Sequence, residues 1–220
     1  IGTDGKPWPM NDGKMPTGSS MTIKSGITSS VNTIAVQVMS ALTPQASYDF
    51  LTQRLGFQLV GNRTNADGSV QSDIDYAPLA LGGLTDGVTV REMAGGFSAF
   101  INDGVFGGTR TYSKVVDSEG NVVLENKPST DLGFENVRTA YYMLECLQNV
   151  TAYGTASGIQ IPGVQTAGKT GTTTDNKDIW FCGVTPKYSA AVWVGFDAEY
   201  RVDGLYGRNA AYIWLDVMKK

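Results

Sequence analysis

An α+β fold, with an antiparallel sheet flanked by helices, is predicted from three features of this 220-residue chain. Amphipathic segments with helix caps fill its first two thirds. Two adjacent apolar runs near the end read as paired strands, and no βαβ alternation suggests a parallel sheet. With 27 glycines and many Thr, Ser and Asn, turns should be frequent.

Residues 1–20 are rich in turn formers, with Gly5, Pro7, Pro9, Gly13, Pro16 and Gly18 breaking any periodicity. A helix is expected over 33–42, with Ile34, Val38 and Leu42 on one face. Asn32 is its candidate N-cap, because the side chain can accept a bond from a free first-turn amide. The next helix has Thr43 as cap, Pro44 at the first position and Gly56 as terminator. Thr89-Val90-Arg91-Glu92 is a capping box, opening a helix that buries Met93, Phe97, Phe100 and Ile101 and stops at Gly104.

A hairpin is expected next, 109–116 with 121–124 around Asp117-Ser118-Glu119-Gly120. A fourth helix covers 136–149, with Val137, Tyr141, Leu144 and Gln148 at helical spacing, and 151–168 reads as a Gly/Ala/Thr loop. After Lys169, strands 179–184 and 190–196 flank Thr185-Pro186-Lys187-Tyr188, and an amphipathic helix over 210–218 closes the chain. There is no internal repeat, no linker and no apolar run of 18 residues.

Composition narrows the chemistry. The hydrophobic fraction of 41% suits a folded core, and a net charge of −4 without a basic stripe argues against nucleic acid and against an anionic membrane surface. The chain has no histidine, so neither a Ser-His-Asp nor a Cys-His device can be built from it. Any serine chemistry must use lysine as its proton carrier. No metal site or cofactor is suggested. Cys146 and Cys182 read as two small apolar residues, with a single disulfide as the alternative.

Two short motifs stand far apart, Ser30-Val31-Asn32 and Lys169-Thr170-Gly171-Thr172-Thr173. In this order they are two of the three motifs of the penicillin-interacting serine enzymes; the third, Ser-x-x-Lys, occurs nowhere in the chain. Structural roles compete with this reading: helix capping could account for Ser30 and Asn32, and a strand end with a solvated lysine for Lys169. Gly163-Val164-Gln165-Thr166-Ala167-Gly168-Lys169-Thr170 also matches the nucleotide P-loop pattern. That loop needs a strand before it and a helix after it. Here Ile159-Gln160-Ile161-Pro162 is a poor buried strand, and the β-branched run Thr172-Thr173-Thr174 is a poor helix start.

The surroundings of the motifs favour the serine enzymes. Trp8-Pro9-Met10-Asn11-Asp12-Gly13-Lys14 leading to Ser29-Ser30-Val31-Asn32-Thr33-Ile34-Ala35 resembles the approach to Ser-x-Asn in class A (bifunctional) penicillin-binding proteins. Similar too are Ala80-Leu81-Gly82-Gly83-Leu84-Thr85-Asp86-Gly87-Val88-Thr89 before Glu92-Met93-Ala94, and Ala167-Gly168 before Lys169. Asp178-Ile179-Trp180-Phe181 and Val192-Trp193-Val194-Gly195 extend the resemblance to nearly the whole chain.

The resemblance implies that residues 1–220 are the C-terminal part of one transpeptidase domain of the penicillin-binding protein/serine β-lactamase-like fold. The nucleophilic Ser-x-x-Lys segment would lie upstream of Ile1 and be supplied as a separate polypeptide, as after proteolytic nicking. A membrane helix and a glycosyltransferase domain would precede it, placing the domain on the extracytoplasmic face of a bacterial membrane. Its partners would be peptidoglycan stem peptides ending in D-Ala-D-Ala, and β-lactam antibiotics. Ser30 would relay a proton, Asn32 would bind the stem-peptide backbone and steady the active lysine, and Lys169 would supply a positive field. Thr170, Gly171, Thr172 and Thr173 would line the substrate strand, with the Thr172 amide as an oxyanion donor. The alternatives are a serine β-lactamase and a non-catalytic sensor or binding module on the same fold.

Overall fold

Thr22 opens the first helix, α1 (Ile23–Thr28), by accepting the Ser25 amide at its side chain, and the structure, a computed structural model, describes residues 5, 7–11, 18–130, 133–198 and 200–220. The predicted turn formers Gly13 and Pro16, and the Asp12-Gly13-Lys14 segment, lie outside the described residues. Helix α2 (Asn32–Leu42) begins one residue before the expected start. Its N-cap is Val31, without a side-chain bond, so Asn32 does not cap it. The Asn32 amide instead donates to the Met10 carbonyl at 2.7 Å, tying the helix to the preceding chain.

Thr43 and Pro44 start α3 (Pro44–Asp49) as expected, with the Thr43 hydroxyl accepting from the Ala46 amide. The helix then widens into a π turn, Phe50–Arg54, before Gly56 turns the chain at φ +68°. A two-residue hairpin, β1 (Arg63–Thr64) with β2 (Val70–Gln71), and a short helix α4 (Tyr76–Leu81) follow, all three unpredicted. The capping box of α5 (Val90–Ser98) forms in full: the Thr89 amide donates to Glu92 and the Glu92 amide to Thr89 Oγ1. What this helix buries is Gly95 and Gly96, with Ala99 just beyond it, while Met93, Phe97, Phe100 and Ile101 are half-buried.

The predicted hairpin is β3 (Lys114–Val116) with β4 (Val122–Glu125), solvent-exposed on both strands. Asn136 caps α6 (Val137–Tyr153), which runs four residues past its predicted end. Strands β5 (Ala167–Thr172), β6 (Asp178–Val184) and β7 (Ser189–Gly195) form an antiparallel sheet in that order, and α7 (Gly207–Met218) closes the chain. Thr185-Pro186-Lys187-Tyr188 is the β6–β7 turn, closed by the Thr185 amide on the Tyr188 carbonyl at 2.8 Å.

Because side chains alternate across a strand, the sheet separates two apolar clusters. On one face Ile179, Phe181 and Val192 meet Ala210, Ala211, Trp214 and Leu215 of α7. On the other, Ala167 and Val184 meet Leu147 of α6 and the aromatic rings of Phe97 and Phe100. Two helices turn inward differently from their predicted faces. In α6 the buried residues are Ala140, Leu147, Val150 and Thr151, while Tyr141 is 65% exposed; in α2 only Met39 is buried, while Val38 and Leu42 are exposed. Where α6 lies close against α1 and β5, small and branched residues fit and the tyrosines are left outside. Cys182 is buried, Cys146 half-buried, and both are free thiols, which removes the disulfide alternative.

One buried carboxyl group organises the irregular region between α3 and α5. Asp73, 1% exposed, accepts from the Val60 amide (2.8 Å) and from both the amide and hydroxyl of Thr85 (2.7 Å each). Deleting such an acceptor strands buried donors, so Asp73→Ala should lower unfolding stability by about 3 kcal/mol. A denaturant melt with an unchanged midpoint would contradict this account.

Candidate active site

The turn from α1 into α2 places the first of the predicted residues. The Ser30 amide donates to the Ile27 carbonyl and the Val31 amide to the Gly26 carbonyl (2.8 Å), the pair of bonds that defines a Schellman C-cap. Ser30 is the left-handed residue of that cap, φ +56°, a slot that ordinarily holds glycine. A side chain there costs on the order of 1 kcal/mol, so stability does not explain the serine. The two helices also pack tightly beside the turn: a Cβ on Gly26 of α1 would stand 2.7 Å from Ile34 of α2.

Lys169 approaches from the opposite end of the chain. It is the third residue of β5, directly across from Cys182 of β6. Its Nζ donates to Ser30 Oγ at 2.8 Å and to the Thr170 carbonyl at 3.0 Å. The predicted hydroxyl and ammonium, 139 residues apart, therefore meet. Ser30 is exposed and Lys169 half-buried, so the pair opens to solvent on the serine side. Burial disfavours the ammonium and pulls the Lys169 pKa down from 10.5 to about 8. The Cys182 thiol opposite is pushed up to about 12 by burial, so it carries no charge near the lysine.

Strand β5 is an edge among the described residues, since only β6 pairs with it. The Thr173 amide donates to the Asp178 carbonyl of β6 at 3.0 Å. Successive peptide groups in a strand face opposite sides, so Thr170 and Thr172 turn their N–H and C=O away from β6, to the open edge. Their side chains point elsewhere. Thr170 Oγ1 shares a hydrogen bond with Thr155 Oγ1 (2.6 Å), and Thr172 Oγ1 accepts from the Gly207 amide at the start of α7 (3.1 Å). Gly207 has to be glycine for this contact, because a Cβ would lie 2.7 Å from Thr170 Cβ and 3.0 Å from the Gly171 carbonyl. Thr173 stands at the corner: its hydroxyl accepts from the Asp178 amide (2.8 Å) and lies 3.1 Å from the Asp178 carboxylate.

Thus Ser30 and Lys169 meet, Gly171 and Thr172 lie on the open edge beyond them, and Thr173 holds the β5–β6 turn. Three contributors escaped the sequence reading. Asp178 braces the corner and accepts from Trp193 Nε1 at 2.9 Å. Trp180 lies directly opposite Gly171, with its Cβ 3.1 Å from where a Gly171 Cβ would be, on the same face as Lys169. Thr155 sits in what reads as plain loop. In the sequence the first two stand only within the Asp178-Ile179-Trp180-Phe181 resemblance, with no role given to either.

Gly168, Lys169 and Thr170 lie inside a strand, and a short 3-10 turn (Thr174–Asn176) follows it, so no helix continues from these residues as a phosphate loop requires, and the nucleotide-loop reading is excluded. Among the described residues no cluster of His, Cys, Asp and Glu is placed to hold a metal, and no helix is long and apolar enough to cross a membrane.

Comparison with known proteins bears on the fold and the family. The family model described as the penicillin binding protein transpeptidase domain matches residues 3–206. Penicillin-binding protein 1A of Clostridium acetobutylicum is 37% identical over 222 residues, covering 99% of this chain and 26% of the relative. That of Clostridium botulinum strain Hall is 34% identical over 199 residues, covering 90% of this chain and 23% of the relative. The chain thus spans about a quarter of the length of these curated relatives. Among solved structures, PonA1 from Mycobacterium tuberculosis superposes with a TM-score of 0.73 at 26% identity, covering 90% of this chain and 56% of that one. Penicillin-binding protein 1A from Haemophilus influenzae, at 22% identity, shares the fold with a TM-score of 0.73 over all of this chain and 37% of its own.

The buried ammonium gives a direct test. The unfolded chain holds its extra proton up to pH 10.5, the folded one only up to about 8, so the contribution of Lys169 to stability rises with pH across that window. Competitive labelling with an amine-acylating reagent should show Lys169 reacting with a midpoint near 8. A midpoint at the ordinary lysine value of ~10.4 would contradict the burial described here.

Proposed function

The chain belongs to the penicillin-binding protein transpeptidase domain family, and on that premise we propose that it is the C-terminal part of a serine D,D-transpeptidase site that cross-links peptidoglycan. The observation that carries the proposal is the 2.8 Å bond from Lys169 to Ser30. A serine nucleophile is weak and needs a base within hydrogen-bond reach. With no histidine among these 220 residues, what they offer to the proton route is lysine and hydroxyl groups.

In this proposal the nucleophile and its lysine come from a Ser-x-x-Lys segment outside the 220 residues, joined to them or supplied as a separate polypeptide. Ser30 accepts the Lys169 hydrogen bond, which leaves its own O–H to point into the cleft as a proton relay. Lys169 keeps a positive charge beside the relay at neutral pH and lowers the pKa of a second lysine brought near it. Asn32 has one amide hydrogen on Met10, leaving its carbonyl and second N–H for a stem-peptide backbone.

The open edge of β5 takes the substrate as an added strand. Thr172 presents its amide there and serves as one oxyanion donor, and Gly171 lets the incoming chain approach closely. The Thr170 and Thr172 side chains face α7, so they act by fixing the edge. A change of rotamer would be needed for either hydroxyl to reach the D-Ala carboxylate. Thr173 contributes by holding the corner. The donor ester would form on the upstream serine with loss of D-Ala, and pass to the amine of a neighbouring stem peptide. β-Lactams would acylate the same serine. The site would work on the extracytoplasmic face of a bacterial membrane, where stem peptides are found.

The tests separate chemistry from folding. Fluorescent penicillin should label no serine within these 220 residues, and should label the protein once a Ser-x-x-Lys segment is present. In that complete protein Ser30→Gly should slow labelling by ~10²-fold or more, the usual range for a lost proton-transfer group. Its melting temperature should be unchanged or raised, because glycine relieves the left-handed residue. Labelling of Ser30 itself, or full-rate labelling of the Ser30→Gly protein, would overturn the proposal.

A further inference from the structure

Resting on the transpeptidase reading, we propose that Gly154-Thr155 is a positioning clip that sets the distance between Ser30 and Lys169, with the Thr155 hydroxyl as its acting group. Helix α1, which leads into Ser30, packs on α6 and α2, while β5, which carries Lys169, packs on α6, α7 and β6. The placement of one partner against the other therefore runs through α6, and its C-terminal end is where the two meet.

Gly154 is the first residue past α6. A Cβ on it would stand 2.2 Å from the Thr28 carbonyl and 2.9 Å from Val150 Cα, so only glycine lets the end of α6 lie against the last turn of α1. Thr155 then bonds in both directions. Its amide donates to the Thr28 carbonyl at 3.3 Å, two residues before Ser30. Its hydroxyl shares a 2.6 Å hydrogen bond with Thr170 Oγ1, one residue after Lys169. Thr170 is itself pinned, its carbonyl accepting from Lys169 and its Cβ packed on Gly207.

The clip has a firm base. The Ala156 and Gly158 amides return to the Val150 and Thr151 carbonyls of α6 at 3.2 and 3.1 Å. Arg208 at the start of α7 donates to the Ser157 carbonyl at 2.6 Å, and Ala156 is fully buried. A hydroxyl at 155 is not needed to fill space, since valine has the same shape. What valine lacks is the bond to Thr170. Losing it frees β5 to shift against α1, and water then reaches the Lys169 ammonium.

Thr155→Val and Thr155→Ser form the test pair, because serine restores the hydroxyl. In the protein that includes its Ser-x-x-Lys segment, Thr155→Val should slow penicillin acylation roughly tenfold, between the loss of one neutral hydrogen bond and the cost of a full ångström of misplacement. Thr155→Ser should recover most of that rate, and both variants should melt within a few degrees of the parent. In the 220-residue chain, Thr155→Val should move the Lys169 labelling midpoint upward from about 8, and Thr155→Ser should leave it in place. Parent-like acylation and an unmoved midpoint in Thr155→Val would overturn the clip. If the parent is not acylated at all, the transpeptidase reading fails, and the midpoint alone then decides whether Thr155 positions Lys169.

Discussion

The candidate site depends on holding an ammonium half out of water beside a hydroxyl. A lysine removed from solvent loses hydration that a single neutral partner only partly replaces. Lys169 is kept there by two acceptors, Ser30 Oγ and the Thr170 carbonyl. Ser30 pays on its own side with a left-handed backbone. Both partners sit where stability alone would choose otherwise, as expected when local rules yield to a site.

The rigidity behind the pair comes from close backbone approach. Gly207 brings the start of α7 against β5, and its amide reaches Thr172. Gly168 and Gly183, in register on neighbouring strands, make room for the Phe181 ring, which meets Trp214 edge-on at 5.4 Å. Asp178 closes the β5–β6 corner through Thr173 and steadies the sheet through Trp193. The edge of β5, open among the described residues, is thus braced from α7 and β6, with the peptide groups of Thr170 and Thr172 turned outward.

Much of the fold could be read from local signals whose physics acts within a few residues. Thr89 and Glu92 announce α5 because each satisfies the other's free amide, and Pro44 starts α3 where a missing N–H costs nothing. Thr185–Tyr188 between two apolar runs gives the β6–β7 hairpin. Asn32 misled, because a residue type that caps helices is equally able to donate to a distant carbonyl. The inward faces of α2 and α6 also differ from their periodicity. Val38, Leu42 and Tyr141 have no neighbour to bury them among the described residues, and the choice of face falls to whatever lies alongside.

By itself the amino-acid order determined the family, the α+β class, the absence of any histidine-based device and the candidacy of positions 30 and 169, since motif identity and composition need no coordinates. Only the folded chain decided which of those candidates touch, which threonine hydroxyls are already engaged, and that Thr155 bonds to Thr170 beside Lys169. The reason is that hydrogen bonds and desolvation depend on ångströms between residues remote in sequence. No pattern along the chain records the approach of α6 to the last turn of α1, or the depth to which Lys169 is withdrawn from water.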